Sequence, residues 1–140
     1  MAKITHFKGY QDNRPPTIPK PAHAVDPLVV TVQDGVPVVY PQCHGVGVRV
    51  VHPVNPKAPS KNMGLVMFYV PPHVVLPPGS HETEETYVIL EGMGVMTFAN
   101  FKREVSAGDF VYLPPWCEHG IENTGTQTLV VLIATSPPNP

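Results

Sequence analysis

The stretch LPPGSHETEETYVILEGMG, residues 76–94, carries His81 four positions before Glu85 and closes on Gly92 and Gly94 around a methionine. Imidazole and carboxylate groups ligate divalent cations and also pass protons, so the pair offers either a metal site or a hydrogen-bonded pair at a polar strand end. In an extended strand His81, Thr83, Glu85, Tyr87 and Ile89 point one way, and Glu82, Glu84, Thr86, Val88 and Leu90 the other. His81 and Glu85 then share a face but lie about 13 Å apart at about 3.3 Å per residue, too far to share one ion. They meet only if the chain bends or bulges over residues 79–84. Spacing alone leaves both readings open. Glu82 and Glu84 alternate away from His81 and read as solvated.

The elements that must position such residues are strands. DPLVVTVQDGVPVVYP holds two β-branched runs separated by Gln33-Asp34-Gly35, a hairpin signal. In GVGVRVVH, residues 45–52, Val46, Val48, Val50 and His52 share one face, expected to be the core face, and Gly45, Gly47, Arg49 and Val51 share the other. GLVMFYV, residues 64–70, is apolar on both faces, as expected of a wall covered from both sides. EETYVILEG, GVMTFAN turning into FKREV, DFVYLP, HGIEN and QTLVVLIAT follow, broken by Gly, Pro and Asn roughly every 8 to 12 residues. That pattern predicts an all-β sandwich or barrel with at most a helical turn or two. Met67, Met93 and Met96 are expected in the core or the pocket wall.

A chain of 140 residues fits one domain. Most of its 19 prolines cluster at residues 15–21, 53–59, 71–78, 114–115 and 137–140, which marks arms, edges and turns. Residues 1–27 read as a Pro-rich arm, either disordered or lying as an extended strip on a neighbouring surface, and residues 28–140 as the folded domain. The formal net charge of −2 and the absence of a basic block argue against nucleic acid and against an anionic membrane surface as partners. No apolar run reaches a membrane span, and MAKITHFKGY lacks the apolar stretch of a signal peptide, so a cytoplasmic location is the expectation. Cys43 and Cys117 form no CxxC pair and are expected as free thiols.

A second segment, GDFVYLPPWCEHGIEN, runs from Gly108 through Pro114 and His119 to Asn123. Taken together, the two segments resemble the paired motifs of the cupin superfamily. The first family motif, G(x)5HxH(x)3–4E(x)6G, is matched by His81, Glu85 and Gly92; the second, G(x)5PxG(x)2H(x)3N, by Gly108, Pro114, His119 and Asn123, with fifteen residues between Gly92 and Gly108. The resemblance covers about residues 64–134 and implies a cupin jelly-roll β-barrel as a single domain. It departs from the family at three places: Gly79 stands where the first histidine of HxH belongs, His73 where that motif begins with glycine, and Trp116 where the second motif has glycine. Carried over residue by residue, it implies three metal ligands, His81, Glu85 and His119. Such a set suits Fe(II) or Mn(II) and also accepts Zn(II).

Around that centre Tyr87, on the face of Glu85, is the candidate proton donor or substrate contact, set against a core tyrosine with a satisfied hydroxyl. His52 either lines the cavity or caps a strand end. Arg49 is assigned to solvent or a subunit contact; with the faces reversed its planar fork would pair with a carboxylate or enolate. Trp116 is expected to line the pocket. His44 and His73 read as surface or strand-end histidines, and Cys117 has no base to activate it. The resemblance implies a metal-dependent enzyme on a small oxygenated or aromatic substrate, of dioxygenase, lyase, isomerase or decarboxylase type. The alternative is a non-catalytic cupin that binds or senses a small molecule. The outer apolar face of GLVMFYV and the N-terminal arm predict a homodimer.

Overall fold

A computed structural model describes residues 2–10 and 15–139. Ten strands follow in chain order: β1 (Val36–Val38), β2 (Val46–Val51), β3 (Gly64–Val70), β4 (Val75–Gly79), β5 (Glu84–Glu91), β6 (Met93–Phe98), β7 (Lys102–Ser106), β8 (Phe110–Leu113), β9 (His119–Asn123) and β10 (Leu129–Ser136). They form two antiparallel sheets, six-stranded β1-β2-β3-β10-β5-β8 and four-stranded β4-β9-β6-β7, which close into the expected jelly roll. Among the described residues one 3-10 turn, Val32–Asp34, is the only helical element, so no helix is long and apolar enough to cross a membrane. The described residues up to Val29 are exposed and form no strand.

The alternation read from the sequence holds through the centre of the large sheet. In β3, Val66, Phe68 and Val70 are buried, and register pairs Phe68 with Val131 and Val131 with Ile89 to carry one apolar row across three strands. The next row toward the open end is Val66, Ile133, Tyr87 and Val111, and the one beyond it is Gly64, Thr135, Glu85 and Leu113. The polar Glu85 thus sits one step past the apolar floor. Met96, Ile121 and Val105 supply the facing wall from the small sheet.

Three expectations fail, and one strand was not anticipated. The Asp-Gly hairpin is absent, because Asp34 Oδ2 accepts the Thr31 N–H at 2.9 Å and closes a 3-10 turn, leaving residues 28–31 outside any strand. The face assignment in β2 is inverted: Val46 is 42% exposed, while Gly47 and Arg49 pair with the inward Phe68 and Val66. The glycines face inward because a Cβ on Gly45 would meet the Phe68 ring and one on Gly47 the Tyr40 ring, which pack edge to face at 5.4 Å. β4 was not anticipated, since Pro77 and Pro78 read as breakers. It survives as the edge of the small sheet, where a strand can lack donors on one side. Of the three methionines, Met96 is fully buried, Met67 half-buried and Met93 51% exposed on the strand that follows Gly92.

Asn123 ties the end of β9 to two other segments. Its Nδ2 donates to the Val70 carbonyl at 2.7 Å and the Gln127 carbonyl at 2.8 Å, and its Oδ1 accepts the Gly125 N–H at 2.8 Å. A fully buried amide with its donors and acceptor all used is a fixed joint between β3, β9 and the turn into β10.

Candidate metal centre

β5 begins at Glu84, so the chain turns over residues 80–83 before the strand starts. That turn removes the separation an unbroken strand would impose: His81 Nε2 comes to 3.6 Å from Glu85 Oε1. His119 opens β9, in register with Gly79 of β4 and Phe98 of β6, and brings its Nε2 to 2.8 Å from the same oxygen. One donor atom from each of His81, Glu85 and His119 lies within 4.8 Å of the others.

Both rings are set by backbone carbonyls. His81 Nδ1 lies 2.9 Å from the Thr83 oxygen and His119 Nδ1 lies 2.8 Å from the Cys117 oxygen. A carbonyl only accepts, so both Nδ1 atoms carry the hydrogen, and a neutral ring presents its Nε2 lone pair toward Glu85. The Trp116 N–H donates to the His81 carbonyl at 2.7 Å, which ties the two ligand-bearing loops together. Glu85 Oε1 is buried without a hydrogen-bond partner among the described residues, despite the short approach of His119. Two imidazole lone pairs converging on an unsatisfied buried carboxylate oxygen fit a divalent ion. Without an ion, burial pulls the His119 pKa down. The Glu85 side chain, the Cys117 carbonyl and the Glu85 charge together outweigh it, so the net shift is upward.

The three residues line a cavity of about 450 Å3. Its walls include Tyr40, Val66, Leu76, Tyr87 and Ile133, and among the described residues no lysine or arginine contributes to it. Tyr87 packs edge to face on the His119 ring at 5.6 Å and is 2% exposed. Burial, then the Glu85 charge, raises the Tyr87 pKa well above 10 and pushes Tyr40 up to about 12. Both phenols therefore stay protonated in the folded chain after an unfolded tyrosine has ionised. The folded state then holds more protons than the unfolded one above pH 10, so the stability due to these phenols is present below pH 10 and is lost as pH climbs toward 12 and beyond. An alkaline absorbance titration should show Tyr40 and Tyr87 ionising late, together with unfolding, and Tyr40→Phe should remove one of these two.

Of the residues expected to line the pocket, Tyr87 does and three others do not. His52 caps the end of β2: its Nδ1 accepts the Val54 N–H at 3.2 Å, and its backbone closes the turn to Asn55 and Ala58. Burial, and then Arg49, lower its pKa against the Asn139 backbone bond that raises it. Arg49 turns inward rather than to solvent, but its guanidinium donates to the Pro37 carbonyl at 3.3 Å and stays outside the lining of this cavity. Trp116 lines a separate outer cavity and is 66% exposed. Its φ of 67° costs an L-residue roughly 1–2 kcal/mol. Tyr40, which the sequence reading missed, reaches the cavity through its packing on Phe68 and carries no spacing signal. His44 and His73 are both exposed, as expected of surface histidines, His73 with φ 69°.

Gly79 lines the cavity opposite His119, and a Cβ there would meet nothing within 4 Å. Its backbone has no positive φ, so a side chain is accepted. Gly79→His should therefore add an imidazole facing the three ligands and tighten metal binding by roughly tenfold or more, about 1.4 kcal/mol. Turnover should fall, because the new ring occupies space beside the site. Competition with a chelator and steady-state rates on one preparation check both halves, and tighter binding with faster turnover would show that the open position has no part in the reaction.

The family model described as cupin domain matches residues 66–135, half of the chain. The uncharacterized protein MJ1618 of Methanocaldococcus jannaschii is 48% identical over 58 residues, 41% of this chain and 46% of that protein. The chain thus spans less than half of that relative. Dimethylsulfoniopropionate lyase DddW of Ruegeria pomeroyi is 31% identical over 109 residues, 77% of this chain and 68% of that protein. Among solved structures, the polyketide cyclase RemF from Streptomyces resistomycificus superposes with a TM-score of 0.69 at 22% identity, covering 80% of each chain, a likeness of fold. Two sheets closing around a His-Glu-His cluster, with both segments inside the matched span, place this chain in the cupin domain family.

Proposed function

We propose that the chain is a metal-dependent cupin enzyme that acts on a small oxygenated molecule by a lyase or isomerase type of reaction. The observation that carries this reading is the convergence of three ligand-type atoms within 4.8 Å in a cavity that two tyrosines, Tyr40 and Tyr87, also line. His81, Glu85 and His119 would hold one divalent ion, Fe(II) or Mn(II) by ligand set, with Zn(II) accepted. Such an ion supplies charge stabilisation at a substrate oxygen. With no lysine or arginine among the described residues of the lining, an anionic substrate group would meet no side-chain cation there.

The chain's own residues then have distinct tasks. Val66, Leu76 and Ile133 exclude water and pack the carbon skeleton. Tyr87 and Tyr40, neutral at physiological pH, donate to an oxygen on which negative charge develops, as in an elimination or an enolisation. The 31% identity to a lyase supports this class over an oxygenase, and the fold likeness to a cyclase does not decide it.

Elemental analysis of protein purified without chelator, followed by a turnover screen over β-substituted carboxylates and, as the oxygenase control, oxygen uptake on catechols and 1,3-diketones, tests the proposal. One ion per chain and an elimination product are expected, with Tyr87→Phe keeping the ion while losing roughly 100-fold or more in rate. A folded, metal-free protein that binds these molecules without converting them would establish the non-catalytic reading instead. The same preparation tests assembly: Val48, Met67 and Leu132 form an apolar row on the outer face of the large sheet, and Ile4, Phe7 and Ile18 of the arm are exposed. These features support a homodimer, and a monomer in sedimentation at micromolar concentration would count against it.

A further inference from the structure

A second cavity, of about 720 Å3, lies between the edge strand β8 of the large sheet, the turn from β6 to β7 of the small one and residues 116–118. Its walls carry the rings of Phe101, Phe110, Tyr112 and Trp116, all more than half exposed. Three observations set it apart from a patch of scattered apolar residues. Trp116 stands in the left-handed region that glycine occupies at no cost, so the chain maintains a strained backbone to display an indole there. The volume falls within the range of small-molecule sites, and the walls come from both sheets. The charges are also balanced against an anion: Arg103 is outnumbered by Asp109 and Glu118 in the lining.

We infer that this outer cavity is a binding site for a neutral planar aromatic molecule of one or two rings, distinct from the metal centre. The recognition is ring on ring: Trp116 and Phe101 present faces and edges to a flat guest, and the exposed rings lose their contact with water when it is seated. The site is coupled to the metal centre by position. Ser80 lines both cavities, and the Trp116 backbone N–H donates to the His81 carbonyl.

Trp116 is the single tryptophan of the chain, so its fluorescence reports this cavity alone. Titration with 4-nitroanisole, neutral, planar and non-fluorescent, should quench that emission saturably, while 4-nitrobenzoate should bind more weakly. Phe101→Ala should weaken 4-nitroanisole roughly tenfold, the loss of about 1.4 kcal/mol of ring contact, with β spectrum and metal content unchanged. Trp116→Gly, followed by equilibrium dialysis, should lose the probe while the thermal midpoint rises, because backbone strain is released. Linear, unsaturable quenching in the wild type would overturn the inference, as would unaltered affinity in Phe101→Ala or a fall in midpoint for Trp116→Gly. So would an indole already shielded from acrylamide in the free protein and uncovered only when Phe101→Ala shifts sedimentation to monomer, which would identify a second copy as the occupant.

Discussion

His119→Ala is expected to purify as a folded β-protein with less than about a tenth of the wild-type metal. The ring supplies one of three converging donors, and loss even of a group that merely orients a ligand typically costs 10–100-fold in affinity, so loss of the ligand itself should exceed about 100-fold. The fold should survive, since the apolar rows through Phe68, Val131 and Ile89 and the facing Met96 and Ile121 do not include His119. The substitution also removes the imidazole beside the buried Glu85 oxygen, so a carboxylate would remain without a partner. For that reason Glu85→Gln is the companion variant: it removes the charge and should also lose metal, while keeping the side-chain shape. Equal metal content in wild type and His119→Ala, measured after chelator-free purification, would sink the three-ligand assignment.

Asn123→Ala should be the most destabilising substitution near the site without touching the cavity lining. Three hydrogen bonds are lost at once, and the Val70 and Gln127 carbonyls lose the amide between them in a fully buried position. Together this amounts to roughly 2–4 kcal/mol. For a chain of this length the thermal midpoint should fall on the order of 10 °C. Asn123→Asp separates polarity from packing, because it has nearly the same volume but points a second acceptor at the two carbonyls. If Asn123→Asp melts with the wild type, the amide contributes shape and not hydrogen bonding.

The candidate centre was legible through the paired motifs of the cupin resemblance, since spacing alone left both readings open. The four-residue step from His81 to Glu85 demanded a break before β5, and the turn at residues 80–83 provides it. His119 came from a motif whose Asn123 proves to be the joint that holds β9. The inward face of β2 was not legible, because valine outnumbers glycine in any hydrophobic count, whereas here two glycines leave room for Tyr40 and Phe68. Arg49 followed from the same inversion. Tyr40 reaches the cavity by packing between sheets, a contact that no periodicity within its own segment encodes. β4 was hidden because its prolines count against a strand unless its place at the sheet edge is already known.

That edge has a consequence for how the protein behaves at high concentration. Exposed strand edges invite another chain to extend the sheet, the first step of ordered aggregation. On β4 the paired prolines offer no N–H at two successive positions, and the register shift between Leu76 and Gly79 breaks the repeat an incoming strand would need. The mouth of the cavity is therefore bordered by a strand that refuses templated growth, and any fibril built from the native fold would have to start from β1, β7 or β8.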